Sequence, residues 1–123
     1  MVVTISVPYS TALSKNWMYR RHRSKTYIPV NSRAEMDAIA IELKARSRGH
    51  AWEKRKLWVR LMIYRPDMRA DPSNFVDAIN DAVKIATGVD DRHYSGSYDW
   101  EVDRENPRIE ITVEQHVKRG YPV

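Results

Sequence analysis

The sequence predicts an α+β domain, with a small mixed or antiparallel sheet and two helices in the order β-α-β-α-β-β. Two kinds of repetition support this prediction. Apolar residues alternate with other residues in four short stretches, which is the period of strands. They recur at every third or fourth position in two longer stretches, which is the period of amphipathic helices. The chain has 123 residues, the length of one ordinary domain, so residues 1–123 are expected to form a single domain.

The first half of the chain predicts a strand, a long loop and a helix. The strand has apolar residues at alternate positions, Val3, Ile5 and Val7. Residues 9–31 show no period and predict a loop, which at this length is often functional. Ser32 with Glu35 three residues later has the pattern of a capping box, so a helix should run from about Arg33 to Ser47.

The second half predicts a central strand, a second helix and a hairpin. The central strand has apolar residues at Leu57, Val59, Leu61 and Ile63. Asp71 before Pro72 predicts the N-cap of the second helix, and Gly88 predicts its end. Two alternating stretches around Trp100 and Ile111 should then pair as a hairpin, followed by a flexible tail at 115–123. The apolar stripe of the second helix is Phe75, Ala78, Ile79, Ala82, Val83 and Ala86.

The charge of the chain favours a nucleic-acid partner. The formal net charge is +5 and the isoelectric point is near 9.6, and clustered basic residues are typical of proteins that bind nucleic acid. Trp17, Tyr19 and Tyr27 lie near the first cluster and either stack on unpaired bases or pack down as anchors. The basic runs are Arg20, Arg21, Arg23 and Lys25, then Arg46, Arg48, Lys54, Arg55 and Lys56.

Several classes of protein are excluded by composition. The chain has no cysteine, which excludes disulfides, cysteine-ligated zinc and thiol catalysis, and favours the cytoplasm. The N-terminal stretch MVVTISVPYS lacks the regions of a signal peptide. No apolar run approaches the length needed to span a bilayer, so we expect no membrane association.

Acidic residues gather around the second helix. Asp71 precedes it, Asp77 and Asp81 lie on its polar side, and Asp90 and Asp91 follow it. Carboxylates that lie close together repel unless a cation lies between them, and Mg²⁺ is usually held by one or two carboxylates plus substrate phosphates. The spacing alone also fits, and favours, ordinary roles as a helix cap, solvated helix residues and a polar turn.

The order of these residues resembles the RusA family of Holliday-junction resolvases from Ser6 to about Glu114. The segment Ser14-Lys15-Asn16, with Tyr19 and Arg20, resembles an early Ser-x-Asn segment and basic loop of that family. The closing strand from Pro107 to Ile111 also fits. The strongest match lies at Arg69, Asp71, Asn74, Asp81, Asp90 and Asp91.

The chain departs from the family pattern at two positions. Ser73 stands where the family usually has a second aspartate, and Asp77 stands where it usually has lysine. Because positions 73 and 77 share one helical face, we expect Asp77 to replace the missing carboxylate. The catalytic acids would then be Asp71, Asp77 and Asp91, with Asp90 either a further metal ligand or a residue that shapes the turn. The missing base would come from Lys15, Arg69 or Lys84.

The resemblance implies hydrolysis of phosphodiester bonds at DNA four-way junctions. The cofactor would be Mg²⁺, with Mn²⁺ as a substitute, and the protein would act as a homodimer in the cytoplasm of a bacterial host, encoded by a phage or prophage. The two departures keep three alternatives open: a non-catalytic branched-DNA-binding protein, a flap or fork nuclease, and an interaction module. The residues that would contact DNA are Asn16, Arg20, Arg21, Arg23, Lys25 and Arg69.

Overall fold

The structure is a computed structural model that describes residues 1–14, 20–22, 25–27 and 30–116, with only the backbone for the second and third ranges. Within these residues a five-stranded mixed sheet and two α-helices form the fold, which confirms the predicted α+β class. The helices are α1, Val30–Ser47, and α2, Val76–Thr87. They pack on each other and on one face of the sheet.

The most apolar strand lies in the middle of the sheet, as predicted. The sheet begins with β1, Val2–Pro8, which pairs antiparallel with β7, Arg108–Glu114. β7 pairs antiparallel with β4, Leu57–Arg65. The other edge of β4 pairs in parallel with β5, Tyr94–Ser95, and then with β6, Tyr98–Val102.

The predicted hairpin between the last two strands is wrong. β6 and β7 lie on opposite edges of β4 and do not pair. The chain crosses the end of β4 between them, where the backbone N–H of Asp103 donates to the Arg65 carbonyl oxygen at 2.8 Å. β4 takes the central place because its alternate side chains, from Leu57 to Ile63, are buried in the core. A strand with that much apolar surface is covered best when it is paired along both edges.

The long predicted loop contains regular structure. A 3₁₀ turn spans Thr11–Leu13, and a separate two-stranded hairpin joins β2, Arg20–His22, to β3, Lys25–Tyr27. The predicted capping box is also wrong, because α1 begins at Val30 and Ser32 lies inside its first turn. Ser32 is fully buried, and its hydroxyl has no hydrogen-bond partner among the described residues.

The second helix ends as predicted, but its predicted first turn is a 3₁₀ turn and the α-helix begins at Val76. Asp71 caps a 3₁₀ turn, Pro72–Phe75, which continues directly into α2. Gly88 ends α2 in the left-handed conformation with φ of +74°, which a residue without a side chain adopts at little cost. The stripe predicted for α2 faces the core, with Phe75, Ile79 and Val83 fully buried.

The flexible tail does not begin at residue 115. Gln115 is buried, and its amide oxygen accepts the backbone N–H of Glu53 at 2.8 Å while its amide nitrogen donates to the Glu53 carbonyl oxygen at 2.9 Å. These bonds tie the end of β7 to the loop that precedes β4. Residues 117–123 lie outside the described part of the chain. None of the described helices is both long enough and apolar enough to cross a membrane.

Candidate active site

A cavity of about 570 Å³ lies between the start of α2 and the segment that carries β5 and β6. Side chains of β4 and α2, among them Val59, Leu61 and Val76, form its apolar part. The polar groups come from three separate segments: the turn before α2, the first turns of α2, and the chain that follows the helix. They include Ser73, Asp77, Asn80, Asp91, Ser97 and Tyr98.

Three of these polar residues share one side of the second helix. Ser73, Asp77 and Asn80 are separated by four and three positions, a spacing that places side chains one above another. Ser73, in the 3₁₀ turn before α2, and Asp77, in α2, both line the cavity. Asp77 lies in the first turn of α2, where the positive end of the helix dipole favours a negative charge.

Asp71 acts as a helix cap. Its Oδ1 accepts the backbone N–H of Ser73 at 3.0 Å and the Ser73 hydroxyl at 2.9 Å. These two hydrogen bonds, with a smaller contribution from the nearby Arg65 guanidinium, hold the pKa of Asp71 below its usual value. Asp71 is not among the residues that line the cavity. It is linked to the cavity through Ser73, which it fixes in place.

Asp90 shapes the turn after α2, which is one of the two roles predicted for it. Its Oδ1 accepts the backbone N–H of Arg92 at 3.2 Å, and its Oδ2 lies 3.4 Å from the Lys84 ammonium. The Arg92 N–H, a hydrogen bond with Asp91, and Lys84 lower the pKa of Asp90 to about 2. Asp90 lines a different cleft from the cavity that Asp91 lines.

Asp91 follows Asp90 and has the opposite electrostatic environment. A side-chain hydrogen bond with Asp90, partial desolvation, and the negative charges of Asp90 and Asp81 raise the pKa of Asp91, and Lys84 offsets this only in part. Because like charges oppose the ionised form of Asp91, a cation beside this carboxylate would favour it.

The donor set fits a divalent ion held partly by substrate. Among the described residues, no three histidine, aspartate or glutamate side chains lie close enough together to hold a metal. Of the predicted set of Asp71, Asp77, Asp90 and Asp91, Asp77 and Asp91 line the cavity. Two carboxylates in a cavity that Asn80 also lines match Mg²⁺, which commonly takes one or two protein carboxylates and completes its shell with water and phosphate oxygens.

The wall opposite α2 depends on a close backbone approach at Gly96. Gly96 has φ of +131°, and a Cβ built on it would lie 2.1 Å from the Val59 carbonyl oxygen. Only glycine allows this approach, which brings Ser97 and Tyr98 to the cavity. At the other end of the wall, the Tyr94 hydroxyl donates to the Val89 carbonyl oxygen at 2.7 Å and holds the Asp90–Asp91 turn against β5.

Sequence reasoning missed several residues of the site. Asn80 and Tyr98 line the cavity but are not among the predicted site residues. The spacing of three positions between Asp77 and Asn80 is a sequence signal that could have found Asn80. Arg65, at the end of β4, is 4% exposed and donates to the carbonyl oxygens of Asp67 and Ala70. These bonds fix the loop that leads to Asp71, and no sequence pattern indicated them.

The predicted DNA-contacting residues are only partly described. The side chains of Asn16, Arg20, Arg21, Arg23 and Lys25 lie outside the described residues, so those predictions remain predictions. The Arg69 side chain is 91% exposed and lies 3.6 Å from the Asp67 carboxylate, outside the cavity lining. Of the other candidate bases, Lys15 is outside the described residues and Lys84 pairs with Asp90.

Comparison with known proteins adds no assignment. No protein-family model matches the chain, and no curated protein matches it. The resemblance to the RusA family therefore rests on the identity and order of the residues named above.

Proposed function

We propose that the protein is a Mg²⁺-dependent endonuclease that hydrolyses phosphodiester bonds in branched DNA, with four-way junctions as the preferred substrate. The observation that carries the proposal is that Asp77 and Asp91, which belong to different segments of the chain, line the same cavity. The net charge of +5 supports a polyanionic substrate. The motif order from Arg69 to Asp91 supports the junction as the specific substrate.

Residues in the cavity and next to it would have different roles in this reaction. The carboxylates of Asp77 and Asp91 would hold the ion. Mg²⁺, when bound, polarises a phosphoryl oxygen and lowers the pKa of a bound water. Asn80 would orient a water or a phosphate oxygen through its amide. Asp71 would act indirectly as a positioning residue, because it fixes Ser73 through two hydrogen bonds.

The proposal extends to assembly and location. A homodimer would match the two-fold symmetry of a four-way junction and would cut two strands in a pair. We also propose, from the resemblance, that the protein acts in the cytoplasm of a bacterial cell and is encoded by a phage or prophage.

The test is cleavage of a synthetic four-way junction, compared with flap, fork and plain duplex DNA, with Mg²⁺, with Mn²⁺ and with chelator. We expect cleavage only with the metals, and fastest on the junction. Asp77→Asn and Asp91→Asn should each reduce the rate at least about 100-fold, which is the upper end of the loss caused by changes outside the ligand set. Asp37→Asn, an exposed acid of α1 away from the cavity, should cut at the wild-type rate.

Two results would contradict the proposal. If the wild type cuts no DNA with either metal, the protein is not a nuclease of this kind. If Asp77→Asn and Asp91→Asn cut as fast as Asp37→Asn, the cavity is not the active site. Fastest cutting of flaps or forks would replace the junction with those substrates.

A second candidate function is a branched-DNA-binding protein without catalysis. It is favoured by the serine at position 73 and by the finding that the described residues bring only two carboxylates to the cavity. Tight, junction-selective binding without cleavage in either metal would support it. In that case Asp77→Lys would raise affinity, because it exchanges a negative charge near the DNA for a positive one.

A further inference from the structure

A second cleft, of opposite charge, is lined in part by Asp90 and Arg92, the chain neighbours of Asp91. It has a volume of about 360 Å³ and is lined by Lys54, Lys84, Gly88, Asp90, Arg92 and His93. Three of these side chains are cationic at neutral pH, and one is acidic. They converge from the loop before β4, the last turn of α2 and the turn after it.

We propose that this cleft binds backbone phosphates of a nucleic-acid strand, next to the strand position held at the acidic cavity. The proposal rests on the proposed function, because it takes the strand at the acidic cavity to be DNA. Lysine offers a compact positive charge and arginine a planar fork of donors, and both bind phosphate oxygens. Such contacts position a strand without reading its sequence.

The geometry of the turn links the two sites. Asp91 lines the acidic cavity, while its neighbours Asp90 and Arg92 line the cleft. Because these three residues are consecutive in the chain, a strand with one phosphate beside Asp91 would reach the cleft by running along this turn. Gly88 lines the cleft without a side chain, and the space around it is open, since a Cβ there would meet no atom within 4 Å.

The acid in the cleft does not cancel its positive charge. Asp90 accepts the Arg92 backbone N–H with one oxygen and contacts Lys84 with the other. Lys84 has an ordinary explanation, since a cation near the end of a helix is stabilised by the helix dipole. That explanation does not apply to Lys54, which comes from a different segment. Other members of its basic run are directed elsewhere, because Arg46 pairs with Glu42 and Arg55 with Glu53.

The experiment measures binding of a fluorescently labelled four-way junction in chelator at several salt concentrations, where no metal-dependent cutting occurs. Lys54→Gln, Arg92→Gln and the double variant are compared with Arg60→Gln. Arg60 is an exposed residue on the face of β4 away from the helices, so it matches the charge change outside the cleft. Each phosphate contact adds about 0.9 to the slope of log affinity against log salt.

We expect each single variant to lower that slope by about 0.9 and the double variant by about twice as much. Arg60→Gln should keep the wild-type slope. The proposal is overturned if the double variant binds with the affinity and slope of Arg60→Gln while thermal melts show that it is folded. The exposed positions of Lys54 and Arg92 make folding of the variants the expected result.

This outcome is independent of the nuclease assay. If the wild type does not cut DNA but the slope falls in the cleft variants, the nuclease proposal fails and the phosphate cleft stands. If cutting depends on Asp77 and Asp91 but the slope is unchanged in the cleft variants, the cleft proposal alone fails.

Discussion

The turns before and after α2 are both capped by an aspartate, but they differ in the polar residue that follows the cap. Asp71 accepts the N–H of the residue two positions ahead at 3.0 Å, and Asp90 does the same at 3.2 Å. Both carboxyls have lowered pKa values for this reason. In the first turn the next polar residue, Ser73, donates its hydroxyl to the cap. In the second turn the next residue is Asp91, whose pKa is raised.

The three aspartates differ in the backbone N–H donors near their carboxylates, and their pKa shifts differ accordingly. Asp71 and Asp90 have fixed N–H partners, which stabilise their charges and give them structural roles. Asp91 lies near the carboxylates of Asp90 and Asp81, which oppose its ionised form, so a bound cation would stabilise that form. Of the four aspartates proposed as metal ligands, two cap turns and two line the cavity.

The largest predicted effect on stability is at Phe75, whose buried side chain anchors the first turn to the core. Phe75 is fully buried and its ring lies 5.1 Å from that of Tyr9. Phe75→Ala should lower the free energy of unfolding by about 3–5 kcal/mol, because it leaves a cavity in the core. Urea denaturation followed by circular dichroism would measure this loss. A loss below about 1 kcal/mol would mean that the first turn is held by its cap and not by its core side chain.

A smaller effect is expected at the wall beside the second turn. Gly96→Ala places a Cβ against the Val59 carbonyl oxygen, so β5 and β6 must move away from β4. Gly49→Ala is the matched control, since it also has positive φ but has open space around it. The control should cost only the left-handed strain of about 1–2 kcal/mol. We expect Gly96→Ala to cost more than the control and to reduce cleavage. Equal losses in the two variants would show that the close approach is not required.

The anchor of the second turn should be weaker than that of the first. Tyr94→Phe removes the hydroxyl that donates to Val89, and one such hydrogen bond contributes about 0.5–1.5 kcal/mol. The expected loss is therefore well below that of Phe75→Ala. The same denaturation experiment measures it, and a loss as large as that of Phe75→Ala would remove the proposed difference between the two anchors.

The smallest change tests the electrostatics of the second turn. Asp90→Asn keeps an acceptor for the Arg92 N–H but removes the charge beside Asp91. The pKa of Asp91 should then fall, as measured by carboxyl NMR titration. In the proposed mechanism Asp91 must be ionised to hold the cation, so the proposed DNA cleavage should persist to lower pH in the variant than in the wild type. An unchanged pKa of Asp91 would mean that Asp90 does not set it.

Asp90→Asn should also change how the stability of the fold depends on pH in acid. Because the pKa of Asp90 is lowered to about 2, its ionised form stabilises the fold above the unfolded pKa of about 3.9. That contribution is lost as the pH falls from about 4 towards 2. Asp90→Asn should therefore flatten the acid limb of the stability curve relative to the wild type.

Local patterns in the sequence were enough for much of the second half of the chain. The strand from Leu57, the stripe of α2, the Asp71 cap and the Gly88 end were all predicted and are confirmed. These features depend on neighbours within a few residues, because hydrophobic periods and caps are set by local backbone geometry. The same segment of the sequence also predicted Asp77 and Asp91 as candidate site residues.

The tertiary structure alone decided which distant groups meet. It placed β4 between β6 and β7, buried Ser32 and Gln115, and divided the acids so that Asp77 and Asp91 share a cavity. It also brought Lys54 to the turn after α2. No local pattern contains this information, because strand order and the meeting of separate segments depend on how all the apolar surfaces are covered at once.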